Sequence, residues 1–174
     1  MYRLVFLAAF FVAASVRAQE PGPLAIHDPA CTGHEGPRTI VEVTGFKDRT
    51  GQLRVELYPA TAGDFLAPGR KLVAEGKVFI RIDIPLPQDG DALVCMPLPE
   101  MGNYAMAILH DRNASGRLDP FSDGYGFPNN PRLGYKKPDV SAATFTAETP
   151  VTEILVRLNY WNGFSARPIS SSEE

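Results

Sequence analysis

The sequence predicts an all-β fold: a single β-sandwich of about seven strands, immunoglobulin-like or transthyretin-like, with one long irregular loop. Three observations carry the prediction. Apolar and polar residues alternate over short runs, the period of a half-buried strand. Pro, Gly and Asp-Gly signals separate those runs. The one helix-permissive stretch, 61–75, is interrupted by Pro68 and Gly69, so it is expected to be a turn or one short helical piece over a sheet edge. The 174 residues suffice for one domain with a real core.

The elements follow in order. Residues 19–38 hold Pro21, Pro23, Pro29 and Pro37 and are expected to form an extended lead-in without regular structure. Strands are expected over 39–44, 53–58, 78–84, 92–96, 104–109, 143–147 and 154–160. In the second, Leu53, Val55 and Leu57 face inward, and Arg54, Glu56 and Tyr58 outward. Gly51 offers a turn between the first two strands, which are expected to pair as a hairpin. Val78, Ile80, Ile82 and Ile84 form one face of the third, which Pro85 and Pro87 end. In the last, Ile154, Val156, Leu158 and Tyr160 share a face. Residues 39–161 form the expected domain and 162–174 a polar C-terminal tail.

The N-terminus reads as a compartment signal. Arg3 precedes an apolar run from Leu4 to Ala14, and Val16, Arg17 and Ala18 make a small-residue cleavage site, so 1–18 is a secretory signal peptide. The periplasm is the expected location, with the cell surface or exterior beyond it. Removing the signal takes away Arg3 and Arg17, leaving 15 basic against 20 acidic residues, a net charge of −5. That balance argues against a nucleic-acid partner. No stretch reads as transmembrane. Cys31 and Cys95, an even pair in an exported chain, are expected to form one structural disulfide.

The chemistry concentrates after the strand that ends at His110. Asp111, Asn113, Ser115 and Asp119 occupy the first, third, fifth and ninth places of a loop, with Gly116 at the sixth and the Arg117 carbonyl at the seventh. Alternate oxygen side chains with a glycine at the sharp turn are the front half of a calcium loop of the EF-hand kind. The twelfth place is Ser122 instead of Glu, which makes Asp123 the candidate closing carboxylate. The expected ligands are therefore Asp111, Asn113, Ser115, Arg117, Asp119 and Asp123, and the expected cofactor is calcium. The same residues also suit a turn in which Asx side chains cap backbone amides. His27 and His34 in the lead-in lack a metal-binding pattern and read as solvated.

Beyond this loop, Phe121, Tyr125, Phe127 and Asn130 lie in an aperiodic, aromatic stretch too long for a simple connection. The rings are expected to pack under the loop as its own small core; the alternative is that with His110 and Asn130 they form a ligand surface, for a carbohydrate, a peptide or an envelope protein. His110 and Asp111 also suit an acid–base pair of a periplasmic hydrolase. The chain holds no Gly-x-Ser-x-Gly and no His-Glu-x-x-His, so a binding or structural module is the first expectation.

The run Gly102, Tyr104 to Asp111, Asn113, Gly116, Leu118 and Asp119, followed by Gly124, Gly126, Phe127, Pro128 and Asn130, resembles an uncharacterised bacterial family of exported proteins, domain of unknown function 2141. Gly45 to Asp48, Gly51, Leu53, Leu57 and Tyr58 fit the same pattern, and the likeness covers roughly 39–160. The resemblance implies a periplasmic β-sandwich with 110–130 as its signature stretch. It implies no reaction and brings no catalytic residues.

Overall fold

A computed structural model describes residues 26–27, 30–134 and 136–169. The expected signal peptide, 1–18, residues 19–25 and 28–29 of the lead-in, Tyr135 and the tail from Ser170 lie outside the described residues.

The chain is almost wholly β. In order it forms β1 (Ile26–His27), β2 (Arg38–Thr44), β3 (Gln52–Pro59), α1 (Gly69–Ala74), β4 (Ile80–Pro85), β5 (Ala92–Pro97), β6 (Gly102–Asp111), β7 (Gly124–Gly126), β8 (Thr144–Ala147), β9 (Val151–Arg157), β10 (Asn159–Trp161) and β11 (Ala166–Arg167). The strands of four or more residues are the seven that alternation marks; β1, β7, β10 and β11 are short additions. They make a four-stranded sheet, β1-β5-β2-β9, and a seven-stranded sheet, β11-β10-β7-β6-β3-β4, with β8 also paired to β6.

The two sheets close on one core. Val41, Val43, Val94, Met96 and Val156 come from the smaller sheet, and Leu53, Val55, Leu57, Met106 and Ile108 from the larger. Each set follows the two-residue period, so one face of each sheet is removed from water. Cys31 and Cys95 form the disulfide, which ties the lead-in to β5.

Three pairings differ from expectation. The strands around Gly51 do not form a hairpin: β2 lies between β5 and β9, whereas β3 pairs with β4 and β6 in the other sheet. Two alternating strands joined by a turn fit either a hairpin or an arch between sheets, and the inward faces of both are satisfied by the arch. The run 154–160 is also divided: β9 belongs to the small sheet and β10 to the large one, with Leu158 at the crossing and its amide held by the Thr44 carbonyl at 3.0 Å. The expected tail contributes β11, which pairs with β10 and buries Ala166, and the lead-in contributes β1, which runs parallel to β5.

The outward face of the large sheet is covered too. Tyr58 and Ala105 point away from the sandwich core into a second cluster with Phe65, Leu72, Phe127 and Leu133. The ring of Phe65 meets Tyr58 and Phe127 edge-on, at 5.9 Å in both cases. Full burial of a side chain such as Phe65 or Leu72 contributes about 1.5–3 kcal/mol, which holds α1 and the segment 127–133 against the sheet. Arg54 is buried on this same outward face, which the alternation assigned to solvent.

Candidate functional site

Strand β6 delivers His110 and Asp111 to the rim of the sandwich, and both are fully buried. His110 turns inward. Its Nε2 lies 2.8 Å from the Thr50 carbonyl and its Nδ1 lies 2.7 Å from the Tyr160 hydroxyl. A carbonyl only accepts, so Nε2 carries the proton, and Nδ1 accepts from Tyr160. The Tyr160 oxygen in turn accepts the Lys47 amide at 3.0 Å. Burial lowers the His110 pKa below its ordinary value, against the raising effect of the Thr50 carbonyl and the Asp48 charge. Asp48 stands 3.9 Å from Nε2, but its carboxylate is taken by the guanidinium of Arg112 and by Thr50. His110 is therefore neutral, and both of its nitrogens are spent inside the protein.

Asp111 begins the loop, and its side chain is held by backbone. Oδ1 accepts the Ser115 amide at 3.0 Å, and Oδ2 accepts the Gly116 amide at 2.7 Å and the Gln52 side-chain amide at 3.3 Å. Asn113 Oδ1 shares the Ser115 amide, also at 3.0 Å. The turn needs left-handed backbone at Ala114 (φ 50°) and Gly116 (φ 76°), and the glycine at the sixth place supplies the second at no steric cost. The Ser115 hydroxyl donates to the Arg117 carbonyl at 3.1 Å.

The rear half of the loop is arranged differently. Asp123 is buried, with Oδ1 accepting the Arg112 amide at 3.1 Å and Oδ2 the Asp119 amide at 2.7 Å, so it clasps the two ends of the loop together. Asp119 Oδ1 accepts the Phe121 amide at 3.2 Å. Among the described residues, no three His, Cys, Asp or Glu side chains gather closely enough to hold a metal. A fixed positive charge stands beside the loop instead. Arg54 Nη1 donates to the Gly116 carbonyl at 2.7 Å while its Nε donates to Asp83 at 2.6 Å. Burial works to lower the Arg54 pKa, and the bond to Asp83, with the charges of Asp83, Glu56 and Asp111, raises it overall.

The aromatic stretch is divided between surface and interior. Phe121 is 72% exposed and meets Trp161 edge-on at 6.0 Å, which corrects the expectation that it packs under the loop. Phe127 is buried in the second cluster, and Tyr125 is half-buried beside it. Asn130 is a structural plug: its amide donates to the Leu155 carbonyl at 3.0 Å, and its oxygen accepts the Arg157 amide at 2.6 Å. It thus satisfies the free edge of β9 in the manner of a missing strand. His110 does not join these groups on a surface. His34 is held at the Pro37 carbonyl at 3.0 Å, and the side chain of His27 lies outside the description.

Sequence reasoning missed Arg54, Arg112, Asp48, Gln52 and Tyr160, all of which hold the loop. Arg112 directly follows Asp111 and Asp48 sits in a turn with Thr50 and Gly51, whereas Arg54, Gln52 and Tyr160 are brought to the site only by strand pairing.

A family model described as an uncharacterised protein conserved in bacteria (DUF2141) matches residues 41–154, a span that includes both the β3 strand and the whole Asp111–Asp123 loop. Neither the curated proteins nor the solved structures give a match.

Proposed function

We infer for this chain, which belongs to the DUF2141 family of bacterial proteins, that it is an exported, non-catalytic β-sandwich module whose Asp111 loop takes a calcium-type cation. The observation that carries this reading is the turn from Asp111 to Gly116: a glycine at the sixth place with φ 76°, and the leading carboxylate oriented by the amides of the fifth and sixth places. Asp111, Asn113, Ser115, the Arg117 carbonyl and Asp119 would hold the ion. Its charge would offset that of the carboxylates and pin the exposed Phe121 beside Trp161 as a contact for a carbohydrate, peptide or envelope protein. Export to the periplasm or beyond is supported by the signal-like 1–18 and by the Cys31–Cys95 bond.

Affinity would be weak. Asn113, Ser115 and a carbonyl supply most of the oxygens, Asp123 is engaged by backbone amides, and Arg54 competes with the ion for the loop. Dissociation constants of about 10⁻⁴–10⁻³ M, the range of extracellular modules, suit such a donor set. A hydrolase built on His110 gains no support, since neither ring nitrogen faces solvent.

The test is a thermal melt of the mature, oxidised protein in 5 mM-scale calcium, in magnesium and in chelator, at roughly tenfold excess over the expected constant. A calcium-specific rise that is lost in Asp119→Asn, a substitution that spares the Asp111 caps, supports the reading. Identical melting temperatures in all three conditions sink the ion, and leave a loop closed by amides and by Arg54 alone.

A further inference from the structure

On the side of the sandwich where β9 ends one sheet and β11 ends the other, a cleft of about 700 Å³ opens between the two edges. Residues 130–134 bridge it, with Leu133 paired to Ala166. None of its lining residues belongs to the Asp111–Asp123 loop, and none is an Asp or a Glu. Three are arginines: Arg132 from the bridge, Arg157 from β9 and Arg167 from β11. In a chain with a surplus of acidic residues, this concentration of one sign is against the average.

Ion pairing varies among the arginines of the fold. Arg54, Arg81 and Arg112 each face a carboxylate. Arg132, Arg157 and Arg167 make no ion pair among the described residues. Arg167 is oriented by its Nε bond to Ser165 Oγ at 2.9 Å. The stem of Arg157 passes over Gly45, where an added Cβ would stand 3.4 Å from its Cγ. The backbone amide of Arg157 is already satisfied by Asn130, so its side chain is presented from a fixed strand end. The remaining wall is apolar, with Leu155 exposed at the edge and Leu133 buried behind it.

Several arginines lining one concave surface, with no Asp or Glu among the described residues that line it, form an electrostatic trap. Their planar forks match carboxylate and phosphate oxygens in pairs. We propose that this cleft is a binding site for a compact multivalent oxyanion, one carrying two or more carboxylate or phosphate groups. The volume suits a small molecule, and three arginines from three separate segments give it more than one point of attachment. This proposal is independent of the cation loop.

The test uses citrate and inorganic pyrophosphate as probes, titrated into the purified mature protein at low salt and followed by calorimetry and amide chemical shifts. Saturable binding is expected, with shifts at 130–134, 155–157 and 165–167. Removing one guanidinium, in Arg157→Gln or separately in Arg132→Gln, should weaken it by about tenfold, equivalent to about 1.4 kcal/mol. Arg81→Gln, on the far edge of the large sheet, should leave it unchanged. Thermal melts identify any variant that fails to fold, and the other variant then decides. Raising the salt well above physiological strength should weaken binding further. No saturable binding of either probe to the native protein overturns the proposal, as does binding that both variants retain. Vesicles of phosphatidylglycerol serve as a third arm: capture by vesicles without any response to the free anions would also overturn it, because the site would then read a surface and not a compact anion.

Discussion

The strongest constraint at the rim is the chain of hydrogen bonds from the Lys47 amide through Tyr160 to His110 and on to the Thr50 carbonyl, and Tyr160→Phe cuts it at one atom. The ring is kept, so no cavity opens and the edge contact with His110, 5.9 Å between centroids, survives. What is lost is the partner of His110 Nδ1, on a side chain with no exposure, and the acceptor of the half-buried Lys47 amide. A buried group left unsatisfied costs about 1–3 kcal/mol. With a smaller cost at Lys47, the total should be about 3 kcal/mol. In a domain of this size each kcal/mol moves the melting temperature by about 2–4 °C, so the variant should melt roughly 6–12 °C lower at pH 7.5. Tyr125→Phe is the control: burial raises its pKa, its hydroxyl holds no hydrogen bond among the described residues, and its loss should stay within about 0.5 kcal/mol. Nitrogen-15 spectra of His110 provide a second readout, in which the native ring should be the neutral Nε2–H tautomer. A Tyr160→Phe melt within about 2 °C of the native protein refutes the reasoning. So does an Nδ1–H tautomer.

Three further outcomes are expected. Because burial lowers the His110 pKa below its ordinary 6.5, the unfolded chain takes up that proton first as the pH falls. The stability from neutral His110 is thus complete above about pH 6.5 and is lost below it, at up to about 1.4 kcal/mol per pH unit; urea midpoints at pH 7.5 and 5.5 should differ in the native protein and converge in His110→Asn. Reducing the Cys31–Cys95 bond opens a loop of 64 residues and should cost about 4 kcal/mol in the chain-entropy model, seen as a lower urea midpoint in Cys31→Ser/Cys95→Ser at equal pH. Gly51→Ala places a Cβ into the Asp111 carbonyl oxygen and 2.7 Å from the Arg112 backbone, at φ 80°, so it should destabilise by more than 2 kcal/mol, roughly. Gly63→Ala, where a Cβ meets open space, should be nearly neutral by the same melt.

What was legible in the sequence was whatever acts over a few residues. Alternation located the long strands because each side chain's face is set by its own backbone, and the Asx pattern located the loop because Asp111 and Asn113 reach amides only a few residues away. Pairing was not legible, because it is a choice among faces that all look alike. The arch from β2 to β3 carries the same residues as a hairpin would, and only the fit of Val41 and Val43 between β5 and β9 decides between them. The crossing at Leu158 is hidden for the same reason: Val156, Leu158 and Tyr160 all enter one core, so the alternation passes unbroken from one sheet to the other. The site inherits this limit. Sequence spacing counts oxygens, but it does not say which hydrogens those oxygens already hold. Asp123 had the right charge at a credible place, yet it is occupied by the amides of Arg112 and Asp119, and Arg54, which alternation assigned to solvent, reaches the Gly116 carbonyl from a strand 62 residues away in sequence. A carboxylate offered by a motif is therefore a ligand only to the extent that the fold leaves it unclaimed, and in this protein both oxygens of Asp123 are claimed by amides of its own loop, whereas no carboxylate among the described residues claims the arginines at the edge where the two sheets end.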